Sequence, residues 1–598
     1  MNKPNPVQKS ATVRFFSTLA GLPTAAELLT VATIMTTLAL TGCSTPEICE
    51  KEITWSPGTP QVEISKNDKI LICGDPAHYA WKKIPPGQSA KFLRSYLESQ
   101  AYLDPKITVD YDAGKVVVDA GKRSVVTAIL TEGEPPEWKT PPLNIYLGHP
   151  LEKTTLDTIS SYSIEQLKTI GYACGKIDLV AHPDGRVILK IQSGERQIFP
   201  QTVDVNPPEV DNEILRRYEP FHEGNRFNIS KTILAGWRME SDNVVSSAQY
   251  TPRCENGKLT QLDRSASFGS RRAWEIGVGA STEEYPLGFV RWNNSRLWSS
   301  ASTFRAEFIG SNIRQKISGD LKWYAFKDDR RMYLKPGAQF EHRKEPKFES
   351  IETKITSFLG RTFDIGNWTL DPQAGFNFRR FRDLTARPSV ANYFFTPGIL
   401  LNAHSHDFER YRGSPRTGVD FNFAYDFLPG SQAKTNSVHR TLISGTALWN
   451  FRDYVEPRWV LGARYSLGML VTGDGSIPNV DRVPVDWFFL IGGDRDLRGF
   501  GRNSLPEVKK GAGSAATLGI ESRWPNLFPM PLEPLLFTDY GWLGHGNMTF
   551  DPGLFYSPGL GARAATPLGT IRATYANGYN PLKGHHKNQY FVSFGAEF

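Results

Sequence analysis

The second half of the chain alternates apolar and polar residues in many short runs, and this pattern constrains the fold more than any other feature. In the segment GVDFNFAYDF, Val419, Phe421 and Phe423 share one face, whereas Asp420 and Asn422 share the opposite face. A period of two residues predicts a β-strand that is apolar on one side. A soluble β-sandwich would alternate in the same way, so a single run does not separate it from a membrane barrel.

The number and uniformity of these runs favour a transmembrane β-barrel. An even number of strands of about ten residues, with aromatic-rich apolar faces, is typical of barrels that cross a membrane. Closure lets every backbone hydrogen bond form between strands, as a lipid environment demands. We therefore expect apolar side chains on the outside and polar side chains along the lumen. The sixteen predicted strands begin near residues 274, 288, 302, 312, 331, 351, 368, 393, 413, 440, 458, 513, 532, 556, 569 and 587.

The composition and the N-terminal segment exclude other classes. A net charge of +7 over 598 residues gives no case for a nucleic-acid partner, and we expect none. The apolar stretch at residues 28–40 is too short to span a bilayer as a helix, which takes about 20 apolar residues. Its position after basic residues predicts a secretory signal peptide over residues 1–42.

The end of this signal, LTGC, resembles the lipobox of bacterial lipoproteins. The resemblance implies that Cys43 is lipidated and becomes the first residue of the mature chain. Ser44 in the next position fits sorting to the outer membrane. An ordinary signal peptide with an incidental cysteine is the alternative. Residues 43–60 are predicted to form a linker.

Four further cysteines lie in the first half of the chain, and none lies in the barrel-like half. Cys49, Cys73, Cys174 and Cys254 allow three pairings in an exported chain. We favour Cys49 with Cys73 and Cys174 with Cys254. The uneven distribution indicates two regions with different physical properties.

Three similar junctions recur in the first half, centred on Gly121, Gly194 and Gly269. Their spacings are 194 − 121 = 73 and 269 − 194 = 75 residues, and such a period indicates an array of similar modules. Each unit is predicted as a strand, helical segments and two further strands. In the second unit we predict a strand at 143–148 and a helix at 152–172. The predicted domains are modules at 61–122, 123–195 and 196–270 and a barrel at 271–598.

The order and length of these units resemble the POTRA domain, the polypeptide-transport-associated module, in three tandem copies. The closest local match is IGYACGKIDL in the second unit. The implied fold class is α+β tandem POTRA domains followed by an all-β, 16-stranded antiparallel transmembrane barrel. Edges of such sheets can accept a client strand, since unpaired backbone groups need no particular side chain in the partner. Three unrelated α+β spacer domains are the alternative.

The segment FFLIGGDRDLRGFG, residues 488–501, lies between two predicted barrel strands. A phosphate-binding loop would need a helix to begin here, and the following residues show no helical periodicity. The segment instead resembles the RGF/RGY loop of the BamA/TamA barrel superfamily. In that superfamily the loop folds into the lumen, and its arginine contacts acidic residues on the next strands. The resemblance assigns Gly492, Gly493, Arg498, Gly499 and Phe500 to the motif, and Glu521 and Asp539 to its acidic partners.

Two details of this loop follow from local chemistry. Leu518 and Ile520 point one way, so alternation places Glu521 toward the lumen. We expect Gly499 to permit a tight turn at the tip of the loop.

Three modules before such a barrel look most like TamA. That resemblance implies an outer-membrane subunit, with its modules in the periplasm, that helps insert or translocate outer-membrane and autotransporter proteins or moves lipid. The implied partners are a TamB-like protein anchored in the inner membrane, client outer-membrane proteins or lipids, and the bilayer itself. We expect no enzyme activity and no cofactor. The lipobox departs from TamA proper and indicates a lipidated relative.

The first and last barrel strands are expected to meet at a weak seam. Gly277 and Gly279 on the first strand and Gly595 on the last should weaken the pairing. Such a seam could open sideways and template a client strand, and paired cysteines at Ile276 and Val592 would lock it.

The chain ends in QYFVSFGAEF, with alternation up to the last residue. A final phenylalanine on such a strand resembles the C-terminal signal that barrels present to their assembly machinery. The resemblance implies this role for Tyr590, Phe594 and Phe598.

Two other functional classes are weighed against this one. A two-partner secretion translocator would carry a plug helix before its first module, whereas residues 44–60 are polar and interrupted by proline. An outer-membrane enzyme could use histidine and acidic residues as metal ligands. We predict these candidates to be solvated loop residues and expect no metal. They are His404, His406 and Glu409; His585 and His586; and Asp474 and Asp481.

Overall fold

The computed structural model divides the chain into two compact units, Met1–Ile170 with Gly175–Gly194 and Gly171–Cys174 with Glu195–Phe598. Two of the modules belong to the first unit, and the third module and the barrel belong to the second. Cys43, the signal peptide at 1–42 and Phe598 lie outside the described residues. The structure describes residues 49, 52–58, 61–75, 82–138, 143–386, 389, 391–410, 416–433, 436–451, 458–475, 483–506, 511–528, 530–566 and 569–595.

The first module is a three-stranded sheet covered by two helices. Its elements are β1 (Ile53–Trp55), α1 (Lys66–Cys73), α2 (Pro86–Ser99), β2 (Lys106–Asp110) and β3 (Lys115–Asp119). β3 is central, parallel to β1 and antiparallel to β2. Cys49 is bonded to Cys73 and buried in this module. The predicted linker at 43–60 is therefore wrong over its later residues, because a disulfide and a parallel strand tie them into the sheet.

The second module repeats this sheet with a shorter first helical segment. Its elements are β4 (Ala128–Glu132), a 3-10 turn (Leu143–Tyr146), α3 (Lys153–Thr169), β5 (Lys176–Ala181) and β6 (Arg186–Gln192). The sheet order is β4–β6–β5. The predicted strand at 143–148 is wrong. Leu143 and Tyr146, three residues apart, are both buried on one side of the 3-10 turn, and the first strand is β4.

The third module belongs to the same unit as the barrel. Its elements are β7 (Thr202–Asp204), α4 (Asn212–Arg216), α5 (Ile229–Ser241), β8 (Ser247–Glu255) and β9 (Lys258–Ser267). Cys174 is bonded to Cys254, so both disulfides have the favoured pairing. Arg264 is fully buried, and its guanidinium donates to Asp204 at 2.7 and 2.9 Å and to Glu219 at 2.9 Å. These bonds compensate the removal of the charge from water.

The barrel closes through sixteen antiparallel strands, and the predicted fold class is confirmed. The strands are β10 (Arg272–Ser281), β11 (Leu287–Leu297), β12 (Ser302–Gly310), β13 (Arg314–Lys322), β14 (Met332–Lys344), β15 (Glu349–Arg361), the short β16 (Phe363–Ile365), β17 (Trp368–Asp383), β18 (Ala391–Ser405), β19 (Gly418–Leu428), β20 (Val438–Asn450), β21 (Val460–Thr472), β22 (Ser514–Arg523), β23 (Leu532–Gly544), β24 (Phe555–Thr566), β25 (Gly569–Asn580) and β26 (His585–Gly595). β16 continues β15 along β17 and adds no further crossing of the wall. β26 returns to β10.

The predicted strand starts agree closely with the observed ones. The largest difference, 418 − 413 = 5 residues, occurs at β19. Within the described residues, no helix is long and apolar enough to cross a membrane.

The two ends of the barrel carry different connections. We call the end at which β10 begins the module end, because the third module packs there, and the opposite end the far end. At the module end, α6 (His406–Arg410) follows β18, and at the far end α7 (Gly430–Ala433) follows β19. Residues 473–513, between β21 and β22 at the far end, are called the lumenal loop below.

Candidate functional site

The lumenal loop turns back into the barrel. Gly492 and Gly493 have positive φ angles of 111° and 117°, which glycine adopts without strain. The backbone N–H of Gly493 donates to the carbonyl of Phe500 at 3.0 Å, so the chain reverses between them and Arg498 lies within the reversal. The loop is held further by isolated bridges between Phe489 and Ala512 and between Ile491 and Leu505.

Arg498 is 0% exposed and is held by carboxylates on both of the following strands. Its backbone N–H and Nε donate to Oδ2 of Asp539 on β23 at 3.0 and 2.8 Å, and Nη2 donates to Oδ1 at 2.8 Å. Nη1 donates to Glu521 on β22. The guanidinium also lies 3.3 Å from the ring centroid of Phe537. A buried guanidinium needs such charge-assisted bonds to offset its desolvation.

Further arginines surround the same two carboxylates. Nε of Arg523 donates to Glu521 at 2.6 Å, and Nη2 of Arg572 lies 3.9 Å from that residue. Nη2 of Arg464 lies 3.8 Å from Oδ1 of Asp539. Arg572 is shared with Asp494 of the loop, whose carboxylate lies 3.5 Å away, so the arginines of this wall pair with acidic residues of both the wall and the loop.

Gly499 allows two backbones to touch and is not needed for a left-handed turn. Its φ lies outside the left-handed region, so the predicted reason for this glycine is wrong. A Cβ atom on Gly499 would lie 2.3 Å from Cα of Gly578 on β25 and 2.4 Å from Oγ of Ser557 on β24. Any side chain here would push the loop away from the wall.

An apolar core fills the far part of the lumen between the loop and the wall. Phe500 of the motif packs edge-on against Phe555, with 5.8 Å between ring centroids. The expectation of a uniformly polar lumen is therefore wrong at this end, because the loop supplies apolar partners that shield inward-facing wall residues from water. The loop contributes Trp487, Phe488, Phe489, Ile491, Leu497 and Phe500, and the wall contributes Phe381, Phe394, Leu470, Leu543 and Phe555.

A second ionic anchor holds the loop on another side of the wall. Asp486 accepts a hydrogen bond from Nη2 of Arg379 on β17, whose Nε donates to Glu352 on β15. Arg440 on β20 donates to the carbonyl of Trp487 at 3.3 Å. Alternation along β17 predicts that Arg379 faces the lumen, but its pairing with Asp486 depends on the fold of the loop and has no signal in the sequence.

The loop is also tied to the turns at the far rim. Arg502 donates to both carboxylate oxygens of Glu345 at 3.0 and 3.1 Å. Glu283, in the turn after β10, accepts from the backbone N–H of Asp494 at 3.3 Å. Burial raises the pKa of Glu283 to about 7; the carboxylates of Asp494 and Asp496 add to this rise, and that N–H and Arg502 oppose it.

In the part of the barrel wall that the structure describes, the seam between β10 and β26 is the shortest pairing of neighbouring strands. Among the described residues, β10 pairs with β26 at two positions, Ala280 with Phe594 and Ser281 with Ser593, whereas it pairs with β11 at eight positions. A further bond runs from the N–H of Thr282 to the carbonyl of Val592 at 2.9 Å. From Arg272 to Gly279, β10 has no pairing with the described residues of β26.

The predicted seam residues occupy different positions along these strands. Gly277 faces Phe289 of β11, and a Cβ atom there would lie 2.1 Å from its ring. Gly279 pairs with Leu287 of β11, and Gly595 pairs with Thr570 of β25.

The register at the seam overturns the proposed cysteine pair. Val592 hydrogen-bonds to Thr282, six residues beyond Ile276, so Ile276 and Val592 do not face each other. Ala280 and Phe594 are the residues that do. Tyr590 and Phe594 of the predicted C-terminal signal are exposed on the outer face of β26.

A buried ionic junction joins the third module to the barrel. Arg238 on α5 donates to Asp364 on β16 at 2.9 and 3.2 Å and to Glu409 on α6 at 2.8 and 2.9 Å. Nε2 of His404 lies 3.3 Å from Glu409, and Nε2 of His406 lies 3.3 Å from Asp364. Burial alone would raise the pKa of Glu409, but the neighbouring imidazole of His404 and the charge of Arg238 lower it. These residues are not solvated, and that prediction is wrong because α6 packs against α5.

The other candidate metal ligands agree with the prediction in part, since Asp474 lies in an exposed turn after β21 and His585 and His586 are exposed. His585 and His586 belong to strand β26 instead of a loop. Asp474 accepts a hydrogen bond from Asn436, and Asp481 lies outside the described residues. Among the described residues, no group of three or more histidine, cysteine or acidic side chains could hold a metal ion.

The third module is also bonded to the module end of the barrel at β11 and the turn after it. Arg217 donates to the carbonyls of Ser300 and Ala301 in the turn after β11, at 3.2 Å each, and stacks on Tyr324 at 3.6 Å. Oγ of Ser295 donates to the carbonyl of Asn243 at 2.6 Å. Together with the Arg238 junction, these bonds fix the module beside the strands from β11 to β19.

Residues 405–598 match the Omp85 superfamily domain, which here covers α6, β19 to β26 and the whole lumenal loop. The chain is similar to the solved structure of BamA from Haemophilus ducreyi lacking POTRA domains 1–3, with 15% identity and a TM-score of 0.48, over 80% of this chain and 100% of that one. It is similar to CdiB from Acinetobacter baumannii, with 13% identity and a TM-score of 0.45, over 79% of this chain and 90% of that one. CdiB from Escherichia coli is similar at 14% identity and a TM-score of 0.43, over 85% and 96%.

Proposed function

We propose that this chain is an Omp85-type outer-membrane barrel of the TamA type that inserts or translocates client proteins, or moves lipid, through the β10–β26 seam. The modules then lie in the periplasm, and the far end of the barrel faces the outside of the cell. Arg498, Glu521 and Asp539 hold the lumenal loop in place and perform no chemistry. The protein is not an enzyme in this proposal.

The proposal is supported mainly by one observation: the seam has an unpaired strand edge, whereas the lumen is filled at the far end. β10 leaves most of its edge without a described partner on β26, and unpaired backbone groups are a template for another strand. Adding a strand to a sheet edge is a general mode of recognition that depends little on side chains. The lumen is filled at the far end by the apolar core around the loop. A sideways exit through the seam is thus easier than passage along the lumen.

A disulfide across the seam tests this function. In the variant Ala280→Cys with Phe594→Cys, the two residues face each other across β10 and β26. We expect oxidation to block insertion of a client barrel into liposomes that hold this protein, and reduction to restore it. The matched control is Ala573→Cys with Val592→Cys, which locks β25 to β26 and leaves the seam free. Full insertion with the Ala280–Phe594 disulfide formed would exclude an opening seam.

The alternative is a two-partner secretion translocator for one exoprotein, and it predicts that the lumenal loop moves during transport. Its cargo would pass along the lumen, so the loop would have to leave the apolar core during transport. Covalent attachment of the loop to the wall should then stop secretion while the seam stays free. Under the seam proposal the same attachment leaves client insertion intact.

A TamB-like partner and the two terminal signals belong to the same proposal. Affinity capture from cell envelopes with the full chain should recover a large inner-membrane-anchored protein, and deletion of the modules should abolish this recovery.

Mass spectrometry of the mature N-terminus should find acyl chains on Cys43 if the lipobox is used. Deleting Phe598 should slow assembly of the barrel if the last strand, with Tyr590 and Phe594, is the assembly signal.

A further inference from the structure

An ionic rung crosses the first strands of the barrel on the lumenal side. Glu275 on β10 lies directly opposite Arg291 on β11, and Arg291 lies directly opposite Glu307 on β12. Nη1 of Arg291 donates to Oε2 of Glu275 at 2.7 Å, and its Nε and Nη2 donate to Oε1 of Glu307 at 3.2 and 2.8 Å. Nζ of Lys316 on β13 donates to the other oxygen of Glu307 at 3.4 Å. Charges of opposite sign therefore alternate along the rung, and the rung ends in a carboxylate at the edge of β10.

Glu275 has space for a second cation on its seam side. Its side chain is 52% exposed, whereas that of Glu307, within the rung, is 16% exposed. Among the residues that the structure describes, Arg291 is the one charged group paired with Glu275. The edge of β10 at this position also has no pairing with the described part of β26. A strand that docks on this edge would therefore place a side chain directly beside a half-satisfied carboxylate.

The lumenal face of β10 is otherwise made of small residues. Ala273, Gly277 and Gly279 share this face with Glu275, because alternate residues of a strand point to the same side. A Cβ atom on Gly277 would lie 2.1 Å from the ring of Phe289, so that ring covers the edge beside Glu275. Between Ala273 and Gly279, Glu275 is thus the one lumenal side chain of β10 that is large enough to distinguish between docking strands.

The outer face of the same edge does not select among barrel strands. Trp274, Ile276 and Val278 are exposed on this face. A docking strand must match them with apolar residues, but every strand of an outer-membrane barrel has an apolar lipid-facing side. Backbone pairing is also largely independent of sequence. Selection between client strands therefore depends on the lumenal side, at Glu275.

The last strand of this chain does not supply the second cation. On the lumenal face of β26, between Gln589 and Gly595, the residues are Gln589, Phe591, Ser593 and Gly595, and all of them are uncharged. A client strand with a basic residue opposite Glu275 would form an ion pair that this part of β26 does not offer. Such a strand would have an advantage at the edge of β10.

We propose that Glu275 selects client strands that carry a lysine or an arginine on their lumenal face, opposite Glu275. The inference rests on the proposed function, because it takes the edge of β10 as the docking site of a client strand. An antiparallel client strand would extend the rung by one position, so that its cation, Glu275, Arg291 and Glu307 alternate in charge. Directly opposed charges of opposite sign stabilise a strand pair, and like charges destabilise it, each by up to about fivefold in the binding constant.

Synthetic strands that bind to the full chain test the proposal. The purified protein in nanodiscs is titrated with labelled peptides of about ten residues. They have apolar residues opposite Trp274, Ile276 and Val278 and differ only opposite Glu275, where they carry lysine, glutamine or glutamate. After subtraction of binding to empty nanodiscs, we expect the lysine peptide to bind most tightly and the glutamate peptide about twentyfold more weakly. Equal affinities of the peptides would overturn the proposal.

A disulfide verifies the register of the bound peptide. A cysteine placed in the peptide opposite Ile276 should cross-link to the variant Ile276→Cys, because both side chains face the membrane. A cysteine at the preceding peptide residue, opposite Gly277, faces the lumen and should not cross-link. Equal cross-linking of the two peptides would overturn the register on which the proposal depends.

Variants of the protein separate the charge of Glu275 from the docking edge itself. Glu275→Gln should bring the affinities of the peptides within about twofold of one another, and Glu275→Lys should favour the glutamate peptide. The control Glu533→Gln removes a carboxylate that pairs with Arg563 on β24 at 3.6 Å, away from the seam, and should leave the order of affinities unchanged. Heat-modifiable migration in gels verifies that each variant is a closed barrel.

The outcomes distinguish this inference from the proposed function. An unchanged preference for lysine in Glu275→Gln would overturn the role of Glu275. In that case, or if the peptides bind equally, strands still dock on β10 and the proposed function stands. Binding of none of the peptides would overturn the inference, and the disulfide between positions 280 and 594 tests the seam independently of any peptide.

Discussion

The guanidinium of Arg379 on β17 bonds the carboxylate of Asp486 in the lumenal loop, 107 residues further along the chain. The loop is bonded on another side by Arg498, which donates to Asp539 on β23. The loop therefore crosses the lumen between two ionic anchors of opposite polarity, with the apolar core between them. Release of one anchor leaves the other in place.

We expect the first anchor to be coupled energetically to the loop. Asp486→Asn and Arg379→Gln should each destabilise the closed barrel, and the double variant should destabilise it by less than the sum, with a coupling free energy of about 1–3 kcal/mol. Urea unfolding in lipid vesicles measures this. The control is Arg380→Gln, the next residue of β17, which is exposed on the outer face. Additive effects of the two changes would show that the pair does not act as an anchor.

The second anchor should be the stronger one. Arg498→Ala leaves the buried carboxylate of Asp539 without its main partner and removes one of the partners of Glu521, and breaking a buried ion pair typically costs about 3–5 kcal/mol. We expect a lower unfolding midpoint and a loop that proteases cut. Arg495→Ala, three residues away and exposed, is the matched control. If both variants unfold like the parent protein and keep its activity, the loop is not held by Arg498.

Gly499 should tolerate no side chain, although its backbone conformation would allow one. Gly499→Ala brings a methyl group against Cα of Gly578, and overpacking of this kind costs about 1–3 kcal/mol. Gly501→Ala is the control, because a Cβ atom there meets nothing within 4 Å. The measurement is the unfolding midpoint of both variants. Equal midpoints would mean that the loop moves away from β25 without loss.

The strands could be predicted from the sequence because each one repeats the same physical pattern. Alternation locates β17 and turns Arg379 inward, and the motif resemblance names Arg498 with Glu521 and Asp539. The sequence does not reveal partners that depend on tertiary packing. The sequence predicts that His406 and Glu409 are loop residues, but α6 buries His406 and holds Glu409, which is half-buried, against Arg238. The sequence predicts that Gly499 is needed for a turn, but the structure requires a glycine there because the backbone of Gly578 lies too close for a side chain.

Rising pH should weaken the closure of the far rim through Glu283. Its pKa of about 7 in the folded protein exceeds the ordinary value of 4.5, so folding favours its protonated form. The stability from this group is fully present below about pH 4.5 and is lost as the pH rises to about 7 and above. Glu283→Gln should therefore gain stability over the parent protein at pH 8 and little at pH 4.

Urea midpoints of Glu283→Gln at the two pH values measure this difference. Glu284→Gln is the control, since its parent carboxylate accepts from Ser311 and pairs with Arg502, and it should not gain stability at pH 8. A Glu283→Gln variant whose advantage is the same at both pH values would contradict a pH-dependent contribution from this group.

The junction at Arg238 should fix the third module to the barrel. Arg238→Ala leaves the carboxylates of Asp364 and Glu409 with Arg331, Thr369 and two histidines as their described neighbours, so we expect a loss of about 3 kcal/mol and faster hydrogen exchange in α5 and α6. The effect should depend little on salt, because buried pairs are weakly screened. Arg216→Ala breaks the exposed pair with Glu213 and should change neither quantity measurably. Unchanged exchange in both helices of the Arg238 variant would mean that the module is held by its other contacts, such as Arg217.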